Sequence, residues 1–208
     1  MKKNIAIFAS GSGSNFINIY KNTIANDIKG SISLLVSNNK NCGAVKFAMK
    51  NNINIFIYND NLFPKDSNNL ILIKKLVFHG IDLIVLAGYL KKISIKLIKV
   101  FNNKIINVHP SLLPKFGGKG FYGINVHKAV FESNEKETGV TIHFIDSSYD
   151  TGPILLQEKF LIKKEYSIED IATKVLELEH KIYPIAIKYF CLDKILWKKN
   201  IPFIKEKI

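Results

Sequence analysis

The strongest constraint on the fold is a rhythm of short apolar runs and helix-length amphipathic segments. Ile5-Ala6-Ile7-Phe8-Ala9 is continuously apolar, the pattern of a strand buried on both faces. It runs into Ser10-Gly11-Ser12-Gly13-Ser14-Asn15, after which Phe16, Ile17, Ile19, Tyr20 and Ile24 repeat with helical spacing. The same alternation predicts strands over 32–36, 53–58, 81–86 and 104–108, separated by helices over 44–49, 70–78 and 93–101. Consecutive strands joined by helices must pair in parallel through crossovers. The expected fold class is therefore α/β: a Rossmann-like, mostly parallel twisted sheet with helices on both faces. Beyond residue 123 the rhythm changes. A helix is expected over 124–131, then strands over 138–145 and 154–162 on either side of Thr151-Gly152-Pro153, which predicts an antiparallel C-terminal part. Ser167-Ile168-Glu169-Asp170 has the form of a capping box and opens a long helix with the stripe Ile168, Ile171, Val175, Ile182 and Ala186. The tail over 195–208 is expected to form a last hairpin. A length of 208 residues suits one domain, with a phosphate-binding half over about 1–100 and a second half over about 101–208.

A glycine- and serine-rich turn between a buried strand and a helix start makes an anion site, because free backbone N–H groups and the positive helix end point to one place. Phe16 stands where a dinucleotide fingerprint needs its third glycine, and no Gly-Lys-Ser/Thr closes a P-loop, so the expectation is a single phosphate. A plain turn with a Ser or Asn helix cap is the bland reading. The net charge of +13 raises nucleic acid as a partner, but every basic residue is Lys, scattered between apolar positions with no compact run. That reads as a compositional drift across the surface, and the expectation is small-molecule substrates, no nucleic acid and no membrane. No apolar segment reaches the roughly 20 residues of a membrane span. Met1-Lys2-Lys3-Asn4 leads straight into the first strand with no targeting pattern, and Cys42 and Cys191 lie far apart. A cytoplasmic protein without a metal site, monomeric or weakly dimeric, is expected.

The chemistry is concentrated in Asn107-Val108-His109-Pro110-Ser111-Leu112-Leu113-Pro114, with Asp150-Thr151-Gly152-Pro153 further on. Pro110 cannot donate to a ladder, so the strand should stop before it. Asn107 and His109 then share one side at the strand's C-terminal mouth, where open α/β sheets place ligands. An amide donor beside an imidazole suits a reaction that builds negative charge on a carbonyl oxygen while a proton moves. A carboxylate such as Asp150 can hold the imidazole and stabilise its protonated form. His143 is the rival imidazole, also on a strand; His79, His127 and His180 lack such company. A Ser111-His109-Asp150 hydrolase lacks the G-x-S-x-G elbow. Residues 115–123 carry four glycines, as a lid or a plain connector would. Glu179 falls on the apolar stripe of the last helix, where either a hydroxyl-rich ligand or solvent would satisfy it.

Taken in order, the Gly-Ser-Gly-Ser-Asn loop, Leu86-Ala87-Gly88-Tyr89, the Asn107–Pro114 segment, Gly139-Val140-Thr141-Ile142-His143-Phe144, the Asp150 segment and Glu179-His180-Lys181-Ile182-Tyr183-Pro184 resemble the phosphoribosylglycinamide formyltransferase family. The resemblance runs from Ile5 to about Phe190. It implies transfer of a formyl group from 10-formyltetrahydrofolate to the glycinamide amine in purine synthesis, with catalysis in a cleft between the halves. Asn107 would donate to the formyl oxygen, and His109 would stabilise the intermediate and relay a proton. Asp150 would pair with His109 and raise its pKa. Gly11, Ser12, Gly13, Ser14 and Asn15 would bind the ribonucleotide, with Gly13, Ser14 and Asn15 on its phosphate and Glu179 on its ribose. The folate would meet Lys65, Leu90, Lys91, Lys92, Ile93 and Asn107, and also Ile145, Asp146, Ser147, Ser148, Tyr149 and Asp150. The family often has Arg at the positions of Lys65 and Lys91, and an apolar residue at that of Lys92; lysine loses the two-point grip on a carboxylate. Two related enzymes share the Asn-His-Asp core. Methionyl-tRNA formyltransferase is expected to carry a further C-terminal domain, and formyltetrahydrofolate hydrolase an extra N-terminal one, so the expectation rests on the purine enzyme. A basic RNA-binding module without chemistry is the reading from a different class.

Overall fold

A computed structural model describes residues 2–66 and 68–205 as nine strands and six helices. The chain divides into two compact units, residues 1–107 and 108–208. In the first unit, β1 (Lys3–Phe8), β2 (Gly30–Ser37), β3 (Ile55–Ile57), β4 (Leu83–Leu86) and the start of β5 (Ile105–His109) lie in the order β3-β2-β1-β4-β5, all parallel. The helices α1 (Ser14–Ile24), α2 (Gly43–Lys50), α3 (Leu70–Phe78) and α4 (Ile95–Val100) make the crossovers. Ile5, Ala6, Ile7 and Phe8 are fully buried, as a central strand covered on both faces requires. The predicted edges move by at most two residues; the strand expected over 53–58 shortens to β3, and the helix over 93–101 to α4, which begins after its cap Ser94. Ser94 Oγ accepts from Leu97 N at 3.2 Å. The start of α3 is held by Asp66, whose carboxylate accepts from the N–H of Leu70 at 2.6 Å and of Ile71 at 2.9 Å. Tyr58 Oη also donates to Asp66 Oδ2 at 2.8 Å. Burial first, with the Asp66 carboxylate adding to it, pushes the Tyr58 phenol up to about 12 despite the opposing Asn69 contact, so it remains a donor at every physiological pH.

The second unit holds the end of β5, α5 (Ile124–Glu132), β6 (Glu137–Phe144), β7 (Ile154–Leu161), α6 (Ile168–Cys191) and a small hairpin of β8 (Ile195–Lys198) with β9 (Ile201–Ile204). β6 and β7 pair antiparallel, as do β8 and β9; the rest of the tail expectation, residues 206–208, lies outside the described residues. The long helix opens as its sequence requires: Ser167 Oγ accepts from Asp170 N at 3.1 Å and Asp170 Oδ2 accepts from Ser167 N at 2.9 Å. Its buried stripe includes Ile171, Val175, Ile182 and Ala186, whereas Ile168 is half-buried. Along β6, Thr138 through Phe144 are all buried. Thr141 and His143 are therefore buried polar residues that must be satisfied inside the protein.

Glycine at 152 lets β7 start close against the end of β6. A Cβ there would overlap the Phe144 carbonyl oxygen, and no flexible side chain is present to yield. Gly152→Ala should lower the unfolding free energy by about 3 kcal/mol or more, the range of severe backbone strain. Gly11→Ala, with nothing within 4 Å, should be nearly neutral. Urea denaturation of both variants checks this, and equal midpoints would contradict the packing account.

Candidate active site

In the first unit the Gly/Ser turn follows β1, and α1 starts after Gly13, whose φ of 84° is left-handed. The Ser or Asn cap of the bland reading is not found: the cap residue is Gly13, which makes no side-chain cap bond. Gly13 is also confined, because a Cβ would come within 3.0 Å of Ala44 Cα and Cβ. Gly11 and Ser12 are exposed, Ser14 is half-buried, and Asn15 is buried. Ser10, next to the turn, donates to Asn38 Oδ1 at 2.5 Å and accepts from Leu90 N at 3.0 Å. One hydroxyl thus ties the phosphate turn to the segment that follows β4. In that segment Leu90, Lys91 and Lys92 are exposed while Ile93 is buried. Lys91 Nζ contacts Asp60 Oδ2 at 3.0 Å, and Lys65 is exposed.

In the second unit the structure brings His109, Asp150 and His143 together. β5 ends at His109, before Pro110, and Asn107 lies two residues earlier on the same side of the strand. His109 is 3% exposed. Its Nδ1 stands 3.5 Å from Asp150 Oδ2, and its Nε2 donates to the Phe116 carbonyl at 2.8 Å. Asp150 lies in the β6–β7 connection with a left-handed φ of 56°, a conformation that Asp tolerates better than most residues. Gly118 N donates to Asp150 Oδ2 at 2.9 Å, and His143 Nε2 lies 3.6 Å from Oδ1. The connection braces itself through Asp146, which accepts from Ser148 N at 3.0 Å and from Thr151 Oγ1 at 2.8 Å. Ile145 and Asp146 are half-buried there; Ser147, Ser148 and Tyr149 are exposed. Glu179 is buried on α6, 9% exposed.

Ser111 has no nucleophilic role in this arrangement. It is fully buried and its hydroxyl donates to the Lys115 carbonyl at 2.7 Å. The segment around it is anchored by Thr141 Oγ1, which donates to Ser111 O at 2.7 Å and accepts from Leu113 N at 3.0 Å. Gln157 Nε2 completes the network on Leu113 O at 2.9 Å. Thr141 and Gln157 thus seat the Ser-Leu-Leu-Pro stretch on β6 and β7, and that seat fixes where His109 and Phe116 end up.

Residues 3–187 match the formyl transferase family. The chain is 40% identical over 214 residues to the chloroplastic phosphoribosylglycinamide formyltransferase of Arabidopsis thaliana, spanning 99% of this chain and 72% of the plant protein. It is 34% identical over 209 residues to the phosphoribosylglycinamide formyltransferase of Haemophilus influenzae, spanning 99% and 95% of the two chains. The crystal structure of glycinamide ribonucleotide transformylase 1 from Symbiobacterium toebii superposes with a TM-score of 0.91 at 28% identity, over 99% of this chain and 95% of that one. The chain belongs to the phosphoribosylglycinamide formyltransferases.

In this formyltransferase the electrostatics around His109 differ in balance from the expectation. Burial is the largest influence and pushes the imidazole below its ordinary value. The Asp150 carboxylate and the Phe116 carbonyl pull it upward without overcoming burial, and His143 adds to the depression. Asp150 therefore raises the imidazole only relative to what burial alone would give. For Asp150 itself burial pushes upward, but His143, the His109 charge and the Gly118 N–H together hold the carboxyl below the usual range. Sequence reasoning missed the loop's contribution: Phe116 and Gly118 act through backbone atoms, which leave no signature in residue type beyond glycine content. It also left His143 as a rival of His109, although the two share Asp150. His127 was set aside, yet it is 7% exposed on α5 and close enough to His109 for the charge there to depress it further, after burial.

These shifts fix the sign of an acid-stability test. A histidine with a lowered native value binds fewer protons folded than unfolded, so its contribution is lost as pH falls below about 6.5. A carboxylate with a lowered native value contributes above about 4 and loses that contribution as pH falls through the native value. Urea midpoints measured from pH 7 to pH 3 should decline in both windows for the native protein. In Asp150→Asn the decline below about pH 4 should shrink while the decline below about 6.5 persists, and an unchanged acid limb would contradict the assigned pairing.

Proposed function

We propose that this enzyme transfers the formyl group of 10-formyltetrahydrofolate to the amine of 5-phosphoribosylglycinamide, in purine synthesis, with Asn107, His109 and Asp150 as the reacting groups. The observation that supports the assignment is the pairing of a nearly inaccessible imidazole with Asp150, on a strand that also carries Asn107. As the amine attacks the formyl carbon, the carbonyl oxygen gains negative charge and the amine nitrogen becomes acidic. The Asn107 amide donates to that oxygen, which is worth most in a site that excludes water. His109 takes up the amine proton and delivers it to the departing folate nitrogen, so proton count and charge balance across the step. Asp150 holds the ring and balances the charge that His109 carries between the two transfers.

Binding roles follow the same reading. The uncapped start of α1, with Gly11, Ser12, Gly13, Ser14 and Asn15, holds the phosphate through backbone N–H groups. Glu179 accepts from the ribose hydroxyls. Leu90, Lys91, Lys92 and Ile93 meet the pterin together with the connection from Ile145 through Asp150. Ile93 contributes there by its backbone, since its side chain is buried. Lys65, exposed and flexible, meets the anionic tail of the folate as a point charge. The reading takes both ligands as small molecules and the enzyme as a monomer or weak homodimer. Two buried cysteines that form no disulfide accord with a reducing, cytosolic location, and no helix among the described residues is long and apolar enough to cross a membrane.

The test is tetrahydrofolate release from 10-formyltetrahydrofolate with and without the ribonucleotide. Release should require the ribonucleotide. His109→Ala and Asp150→Asn should each lower kcat by roughly 10²- to 10⁴-fold, the usual yield of a positioned acid–base group. Asn107→Ala should cost about 10²- to 10³-fold. Equal release to water alone would move the assignment to a hydrolase. Gly13→Val should raise KM for the ribonucleotide while leaving KM for the folate near its native value, and equal changes in both would remove the phosphate role.

A further inference from the structure

We propose that the first unit carries a second small-molecule site, at the N-terminal ends of its parallel strands, for an organic oxyanion: a phosphate or carboxylate borne on a small apolar group. The site stands apart from the reaction assigned above. A cavity of about 410 Å³ opens there, between the start of β2, the turn over residues 51–54 before β3, the end of α1 and His79 after α3. Small-molecule sites commonly have volumes of roughly 300–1,000 Å³. The Gly/Ser turn follows the other end of β1, beyond the six residues of that strand, or roughly 20 Å along it. The cavity has a cause in the strand pairing. β2 spans Gly30–Ser37 but pairs with β3 only from Leu35 onward, so residues 30–34 have no strand on that side among the described residues. The chain approaches β3 through Asn52, left-handed at a φ of 54°. It closes on β2 at Asn54, whose carbonyl accepts from Leu35 N at 2.8 Å and whose Nδ2 donates to Ser33 O at 3.2 Å. Pairing starts late, and a gap is left before it.

The lining selects the ligand. Several of its polar groups are committed within the protein: Ser31 and Ser33 donate to Asn4 Oδ1 at 3.3 and 3.1 Å, and Thr23 donates to the Tyr20 carbonyl at 2.7 Å. Others are not. Among the described residues the Lys2 ammonium, the Tyr20 hydroxyl and the Asn52 side-chain amide make no hydrogen bond or ion pair. His79 Nε2 is enclosed without a hydrogen-bond partner. Such a nitrogen is costly, and a ligand beside the ring would give it a partner to turn to. Burial first, then the Lys75 charge, hold the His79 ring below its ordinary value. It therefore meets a ligand uncharged near neutral pH, and Lys2 supplies the positive charge. No Asp or Glu lines the cavity, so these donors face no competing carboxylate. An ammonium, a hydroxyl and an amide without an acid beside them suit an oxyanion. Ile24, Ile32 and Ile53 line the same space and suit an apolar group attached to it.

The test is an NMR titration of the full chain, following backbone amides and the His79 ring, with four probes: phenyl phosphate, benzoate, inorganic phosphate and benzyl alcohol. Phenyl phosphate or benzoate should move residues 30–33, 52–54 and the His79 ring together along one saturating curve, and whichever binds more tightly identifies the oxyanion. Inorganic phosphate should bind there more weakly, since it lacks the apolar group, and benzyl alcohol more weakly still. Lys2→Ala and Asn52→Ala should each weaken that curve roughly two- to tenfold, the scale of one exposed charge or one hydrogen bond. Any anion effect at residues 11–15 should be the same in both variants, which separates this cavity from the phosphate turn. Shifts confined to residues 11–15 overturn the proposal, as does benzyl alcohol matching the anions or a curve unmoved in both variants. The titration of the native protein decides the matter alone if a variant does not fold.

Discussion

One carboxylate holding two buried imidazoles is the interaction on which the second unit depends. Burying a charge is costly unless it is paired and hydrogen-bonded. Asp150 meets both conditions: His109 and the Gly118 N–H on one oxygen, His143 on the other. Each partner demands something of the chain. His109 must end a strand, which Pro110 enforces. Gly118 sits at a φ of 99°, where a side chain is strained. His143 must face inward from a strand buried from Thr138 to Phe144. Gly152 completes the geometry by letting the chain pass under the Phe144 carbonyl two residues after Asp150.

The first unit solves a different problem, keeping polar groups ready for a ligand. Side chains meet the starts of three helices, Ser94 at α4, Asp66 at α3 and the Ser167–Asp170 box at α6, whereas α1, α2 and α5 start without a side-chain cap. What sets α1 apart is the turn before it, rich in glycine and serine and ending at Gly13 in a left-handed conformation, a setting suited to an anion. Ser10 shows how the turn is stiffened, since its hydroxyl bonds Asn38 and Leu90.

Most of the architecture was legible because it rests on periodicity. Strand runs, the capping box of α6 and the antiparallel pair on either side of Thr151-Gly152-Pro153 follow from patterns of two and 3.6 residues. His109 and Asp150 were legible from residue type, and their pairing is as expected. What stayed hidden depends on through-space geometry. The Phe116 carbonyl and the Gly118 N–H belong to any sequence, so the glycine-rich stretch read as a lid or connector, and its bonds to His109 and Asp150 left no mark in the residue types. The net direction of the His109 shift was hidden too, because the spacing shows that a carboxylate can approach but not how much water is excluded. His143 was visible only as a competitor; that two histidines could share one carboxylate required knowing that both rings donate to backbone carbonyls on their other side.

The lysine-only surface bears on this division between core and periphery. Lysine pairs on the described surface, among them Lys91 with Asp60, Lys115 with Glu135 and Lys159 with Glu137, involve largely exposed amines. Pairs of that kind are worth about 0–1 kcal/mol, so choosing Lys over Arg at these sites costs the fold little. The buried machinery uses His, Asp, Asn, Thr and backbone atoms, none of which depends on a cation's shape. Where lysine does matter is toward ligands, because a phosphate and a folate tail are both anions. A net charge of +13 raises their local concentration at a distance even where each ammonium grips less specifically than a guanidinium would. Such steering is screened by salt over roughly 8–10 Å, whereas the Asp150 cluster is shielded by burial. Ionic strength therefore acts on the exposed charges and leaves the contacts of Asp150 with His109 and His143 nearly untouched.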